Sequence, residues 1–180
     1  SLKRPLLCIF CFAHSFSHAQ ERHYSFLYKG LEETSRNVNK QNAHIKILYG
    51  NPGTTVASLT SALDAALVIV DFDPYPEKQP WKNDFIERVS LPVYEVDGHN
   101  IIPAWIASPK KEYSAATFRK KVHPMLDSFL EDYPLFPELP YSEDIEIPFS
   151  LTLEDASAHI TPGAAGAPLS SYSPGSSAAR

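Results

Sequence analysis

A sheet of mostly parallel strands flanked by helices is the architecture this sequence predicts. Three features point to it: short apolar runs alternate with amphipathic stretches, turns rich in Gly and Pro separate them, and the composition can fill a core. The 180 residues are 43% hydrophobic, 12% aromatic and 21% charged, close to the average of folded domains and far from the regime of disordered chains. A net charge of −5 gives no overall pull toward a phosphate backbone, so nucleic acid is not expected as a partner. The apolar runs fall short of the roughly 20 residues that cross a bilayer as a helix, so no membrane span is expected.

The elements follow in order. Pro5 precedes Leu6, Leu7, Cys8, Ile9, Phe10, Cys11 and Phe12, a continuous apolar run suited to a strand buried on both faces. From Gln20 to Asn42, Tyr24, Leu27, Tyr28, Leu31 and Val38 fall on one side and Glu32, Glu33, Arg36 and Lys40 on the other, which is helical spacing. Ile45, Ile47 and Tyr49 alternate as a strand, and the turn Gly50 to Gly53 leads to Thr54 or Thr55 as the cap of a helix reaching Leu63. Ala66 to Val70 reads as a strand. Pro80 suits the first turn of a helix carrying Trp81, Phe85, Ile86 and Val89, and Pro92 to Val96 is a further strand. A last helix is expected from Ser108 to about Leu130, stopped by Pro134. This alternation predicts a Rossmann-like sheet.

Composition changes after residue 134. Seven of the 16 prolines lie from Pro134 to Pro174, and 16 of the last 20 residues are Ala, Gly, Ser or Pro. Such a stretch buries too little apolar surface to offset its ordering entropy. The expected organisation is therefore an α/β domain over residues 1–134 and an extended tail over 135–180, held by something outside the chain. The chain begins at Ser1 with no signal-like segment, which leaves open an organellar product whose targeting peptide has been removed.

Chemical motifs are sparse. The phosphate-binding GxxxxGK[ST] and GxGxxG loops, the zinc-binding HExxH and the GxSxG elbow are all missing from the sequence, so the usual nucleotide, metalloprotease and serine-hydrolase readings lack support. His14 and His18 have the i, i+4 spacing of two metal ligands without a matching third. Cys8 and Cys11 form a CxxC inside a strand rather than at a helix start, which fits core cysteines better than a redox pair. Gly50 to Thr55 offers either an ordinary capped turn or backbone N–H groups for an anion. Lys110, Lys111, Arg119, Lys120 and Lys121 make a basic cluster, read as a solvated helix face or as a contact for phosphate or an acidic protein surface. No catalytic or metal-ligating residue is assigned.

The most specific stretch runs from Val93 to Val122, VYEVDGHNIIPAWIASPKKEYSAATFRKKV. Asp97, His99 and Asn100 sit where a strand ends, and their polar groups are expected to brace one another and the loop backbone. This stretch resembles the N-terminal α/β domain of class II cyclobutane pyrimidine dimer photolyases, whose segment reads VDxHNxVPxWxASxKxEYxAxTxRxK. Asp97, His99, Asn100, Pro103, Trp105, Ala107, Ser108, Lys110, Glu112, Tyr113, Ala115, Thr117, Arg119 and Lys121 match it. Phe26, Lys29, Gly30, Leu31 and the strand end VDFDP at Val70 to Pro74 add support, and the resemblance covers Leu6 to about Pro134. Pro109, Ala116 and Lys120 replace the family's usual Asp, Arg and Pro, while Tyr75 and Pro76 replace its Leu and Arg.

The resemblance implies that the chain enters the fold at the family's second strand. The first, normally central in a doubly wound sheet, is missing from this reading, as is the helical FAD domain. Ile160 to Gly163 and LSSYSPGSSAAR at Leu169 to Arg180 resemble a shortened echo of the entry to that domain. Catalytic residues of the family belong to the helical domain, so none carries over, and no cofactor is expected in these residues, an antenna pigment staying open. The leading expectation is a non-catalytic structural or interaction subunit, with other protein subunits against the tail and against the sheet edge left by the first strand. Two alternatives are a piece of a light-driven DNA-repair enzyme and a stand-alone domain binding a nucleotide-like or pigment ligand near Asp71, Phe72, Asp73 and Asp97.

Overall fold

The structure, a computed structural model, describes residues 4–13, 16, 19–132, 135, 139, 145–147, 149–152, 155, 158 and 171–179. The calls on His14, His18, Pro134 and the segment Ile160 to Gly163 lie outside the described residues.

Strand β1 (Leu7–Phe12) leads to helix α1 (Glu21–Asn39), strand β2 (His44–Tyr49), helix α2 (Pro52–Ala62), strand β3 (Val68–Asp71), helix α3 (Gln79–Arg88) and strand β4 (Val93–Val96). The alternation read from the sequence is therefore present element by element. The cap of α2 is Asn51 rather than Thr54 or Thr55: its side chain accepts the N–H groups of Gly53 and Thr54, and Pro52 takes the first turn, where its missing N–H goes unneeded.

The sheet, however, is divided. β1 pairs in parallel with β2, β3 pairs in parallel with β4, and these are separate two-stranded sheets. Helix α2, which carries the chain from β2 to β3, packs over both β1 and β2 and then against α3. It therefore crosses β1, placing β3 on the side of β1 away from β2. Phe16, past β1, meets Tyr75, past β3, and Trp81 of α3, with ring centroids 6.3 Å apart in each case.

Two apolar clusters cover the faces of the first sheet. Phe12, Leu31 and Ile47 anchor one with Phe10 and Tyr24, on the α1 side. Leu48, Leu59 and Ile147 anchor the other with Ile9, Cys11 and Val56, on the α2 side. Leu48 is fully buried. Both cysteines are free, and burial pushes the Cys11 thiol up to about 11, as expected of a core thiol.

Two regions differ from the sequence reading. A short helix α4 (Ala104–Ala107) lies before Ser108, and the expected last helix starts late and is broken into α5 (Ala115–Val122), a 3₁₀ turn at His123–Met125 and α6 (Leu126–Phe129). Pro124 cannot donate to the helical ladder, and Ser114 starts a fresh helix by accepting the N–H of Thr117. Beyond residue 134, Ile147 is buried in the core and Leu151 donates its N–H to the carbonyl of Ile47 at 2.8 Å. This part of the Pro-rich segment thus completes the core, because its few apolar residues fall where β2 would otherwise face water.

Candidate functional site

Asp97 ends β4 at the carboxyl side of the strands, the side on which open α/β sheets hold ligands. It is buried. Its Oδ1 accepts the N–H groups of His99 and Asn100 at 3.1 and 3.0 Å, and its Oδ2 accepts the Asn100 side-chain amide and the Ala104 N–H, both at 2.9 Å. Burial alone would raise its pKa, but these donors, Asn100 foremost, outweigh burial and hold the carboxyl below the ordinary range. Asp97 is thereby spent on shaping the loop and starting α4. His99 joins only through its backbone, and its exposed imidazole takes no part in these bonds.

Helix α4 then presents Trp105, whose ring meets Phe72 edge to face at 5.6 Å. Asp71 is exposed at the end of β3. Asp73 is held by the Lys78 ammonium and by the N–H of Tyr75 at 3.0 Å, which lower its pKa against the opposing effect of burial. Lys82 of α3 pairs with Glu95 of β4 and lies over the Phe72 ring. The residues proposed from sequence around a ligand are in this way brought to one end of the sheet. Asp73 and Asp97 are bonded within the chain itself.

Glu112 forms a second bonded centre. Its Oε1 accepts the Ser108 hydroxyl at 2.6 Å and the Lys121 ammonium at 2.5 Å, and Lys121 also donates to Ser108 at 3.0 Å. The Lys121 and Ser108 donors lower its pKa to about 2. Three family-motif residues thus tie the turn after α4 to the last turn of α5. Of the other matches, Lys110, Tyr113 and Arg119 are exposed, and Tyr113 is wholly so.

Two further features stand out: an open sheet edge, which the family resemblance implies, and a docked tail segment, which sequence reasoning misses. The edges of β1 and β3 not bonded to β2 or β4 carry no strand among the described residues, and beside them one face of the second sheet is bare: Ile69, Tyr94 and Val96 are 62%, 58% and 48% exposed. Their register, Ile69 opposite Tyr94 and Asp71 opposite Val96, puts them on one face. The other feature is the docking of Ser176 and Ser177 on Glu33, which low-complexity composition conceals. Among the described residues no group of three or more His, Cys, Asp or Glu side chains is placed to hold a metal ion, and no helix is long and apolar enough to cross a membrane.

Comparison with known proteins gives a consistent result. The DNA photolyase family profile matches residues 1–141. The deoxyribodipyrimidine photo-lyase of Potorous tridactylus is 34% identical over 146 residues, covering 80% of this chain and 27% of that protein. The enzyme of the same name from Arabidopsis thaliana is 31% identical over 132 residues, covering 72% and 27%. The chain thus spans about a quarter of the length of the curated relatives it matches. Among solved structures, a Synechocystis cryptochrome superposes with a TM-score of 0.65 at 12% identity, over 82% of this chain and 34% of that one. An archaeal photolyase from Sulfolobus tokodaii gives 0.61 at 13%, over 88% and 36%. At those identities the structures speak for the fold.

Proposed function

The chain belongs to the DNA photolyase family, and on that footing we propose that these residues act as a non-catalytic interaction domain, a subunit of a larger protein assembly whose partner inserts a strand between β1 and β3. The observation that carries this reading is the divided sheet. Among the described residues β1 bonds only to β2 and β3 only to β4, so each keeps one edge without a neighbouring strand. Unpaired N–H and C=O groups along such edges are a template for another strand.

The chemistry of the incoming strand follows from its neighbours. It runs parallel to β1 and β3, uses main-chain hydrogen bonds on both sides, and is apolar on both faces. Part of the partner covers the bare Ile69, Tyr94 and Val96 face. In this reading the Asp97 and Glu112 centres are supports that hold the loops at the sheet's end, and they need no bound cofactor.

Isolation of the protein from its source tests the reading. A chain near 20.1 kDa that migrates with a larger, flavin-free assembly is the expected result. A much longer, yellow polypeptide running alone overturns it. That second outcome belongs to an alternative favoured by one observation: the matched relatives are all named deoxyribodipyrimidine photo-lyase. The residues would then be the α/β part of a light-driven DNA-repair enzyme, and its own chain would supply the strand.

A further inference from the structure

The outer face of α1 carries a cavity that neither the sheet nor the Asp97 loop explains. The segment 171–179 lies against this face through a specific joint. Glu33 accepts the hydroxyls of Ser176 and Ser177, each at 2.7 Å, and the N–H of Ser177 at 2.8 Å. Gly175 adopts φ +107° beside it, a backbone open to glycine, and an added Cβ there would run into the Glu33 carboxylate. Next to the joint lies a cavity of about 490 Å³, walled by Arg22, His23, Phe26 and Lys29 of α1 and by Tyr172 and Pro174 of the segment.

The wall has a consistent chemistry. Arg22, Phe26 and Lys29 are spaced four and three residues apart, so they share one helix face. Arg22 and Lys29 bring two positive charges to that wall. His23 accepts the Gln20 N–H on Nδ1 at 2.9 Å, which leaves Nε2 as the ring's donor. Phe26 and Tyr172 are large rings left 44% and 69% exposed. Glu33, the acid next to the joint, is already taken up by the two serines.

We propose that this cavity binds a small anion carrying an aromatic base, of the nucleoside monophosphate class. The phosphate lies with Arg22 and Lys29, since a guanidinium fork matches phosphate oxygens and a Lys adds a point charge. The base lies against Phe26 and Tyr172, whose rings accept any flat base. The volume suits such a ligand, small-molecule sites spanning roughly 300–1,000 Å³. The site rests on α1 and the segment alone and is independent of any partner strand.

Calorimetric titration of the full chain with adenosine monophosphate tests it, with adenosine and inorganic phosphate as separate probes. Saturable binding at one site is expected, tighter than for either probe alone, and weakened about tenfold or more in both Arg22→Gln and Tyr172→Ala. Should Arg22→Gln fail to fold by circular dichroism, Lys29→Gln takes its place. Absence of saturable binding, equal affinity in the variants, or inorganic phosphate binding as tightly as the nucleotide overturns the proposal.

Discussion

The Oδ2 of Asp97 accepts the backbone N–H of Ala104 at 2.9 Å across seven residues of sequence, so the end of β4 fixes the start of α4. Removing the carboxylate strands that N–H together with those of His99 and Asn100. Asp97→Ala is therefore expected to lower stability by about 2 kcal/mol or more, read as a shift of the urea midpoint. His99→Ala should change it by less than about 0.5 kcal/mol, because the imidazole stands outside the network.

Ile147 is 4% exposed and packs with Leu48 and Leu59. Ile147→Ala should lower stability by about 3 kcal/mol in the same denaturation experiment. A change near zero would mean that the core closes without this segment.

Gly53 sits where α2 crosses α3. A Cβ there would lie 2.5 Å from Asp84 Oδ2 and 2.8 Å from the Trp81 carbonyl oxygen, and the backbone oxygen cannot swing aside. Gly53→Ala should push the helices apart and lower the melting temperature, by an equivalent of about 1–3 kcal/mol, despite alanine's better helix propensity.

Acid should loosen two joints together. The Ser176 and Ser177 donors hold Glu33 near 2, and Lys121 and Ser108 hold Glu112 near 2, against an ordinary value of 4.5. A carboxyl depressed in the folded state contributes stability above its unfolded pKa and loses it as pH falls through its folded one. The contribution should be intact above about pH 4.5 and fall away toward pH 2, with both carboxyl carbons titrating near the lower value by NMR. Glu33→Gln and Glu112→Gln should each flatten part of that acid limb.

The alternating elements were legible because each carries its own period: the apolar run of β1, the amphipathic face of α1, and the Gly and Pro turn before α2. The Asp97 loop was legible through its motif, although the motif did not reveal that His99 acts by its backbone. Three features were not legible. The late start of the last helix depends on Ser114 capping a fresh helix at Ala115, a local competition that helical spacing does not register. The burial of Ile147 and the docking of Ser177 on Glu33 are contacts between distant residues, set by tertiary space rather than by period. The open edge of the sheet, by contrast, was legible through the family resemblance, which leaves out the strand that normally lies centrally in a doubly wound sheet.

Hydrogen exchange of the β1 and β3 amides, compared in the isolated chain and in the assembly purified from its source, tests the central claim most directly. Filling of the edges by a partner strand predicts that the outward amides of Leu7–Phe12 and Val68–Asp71 exchange fast in the isolated chain and slowly in the assembly. Equal exchange in both, with the chain fully occupied in the assembly, would contradict it.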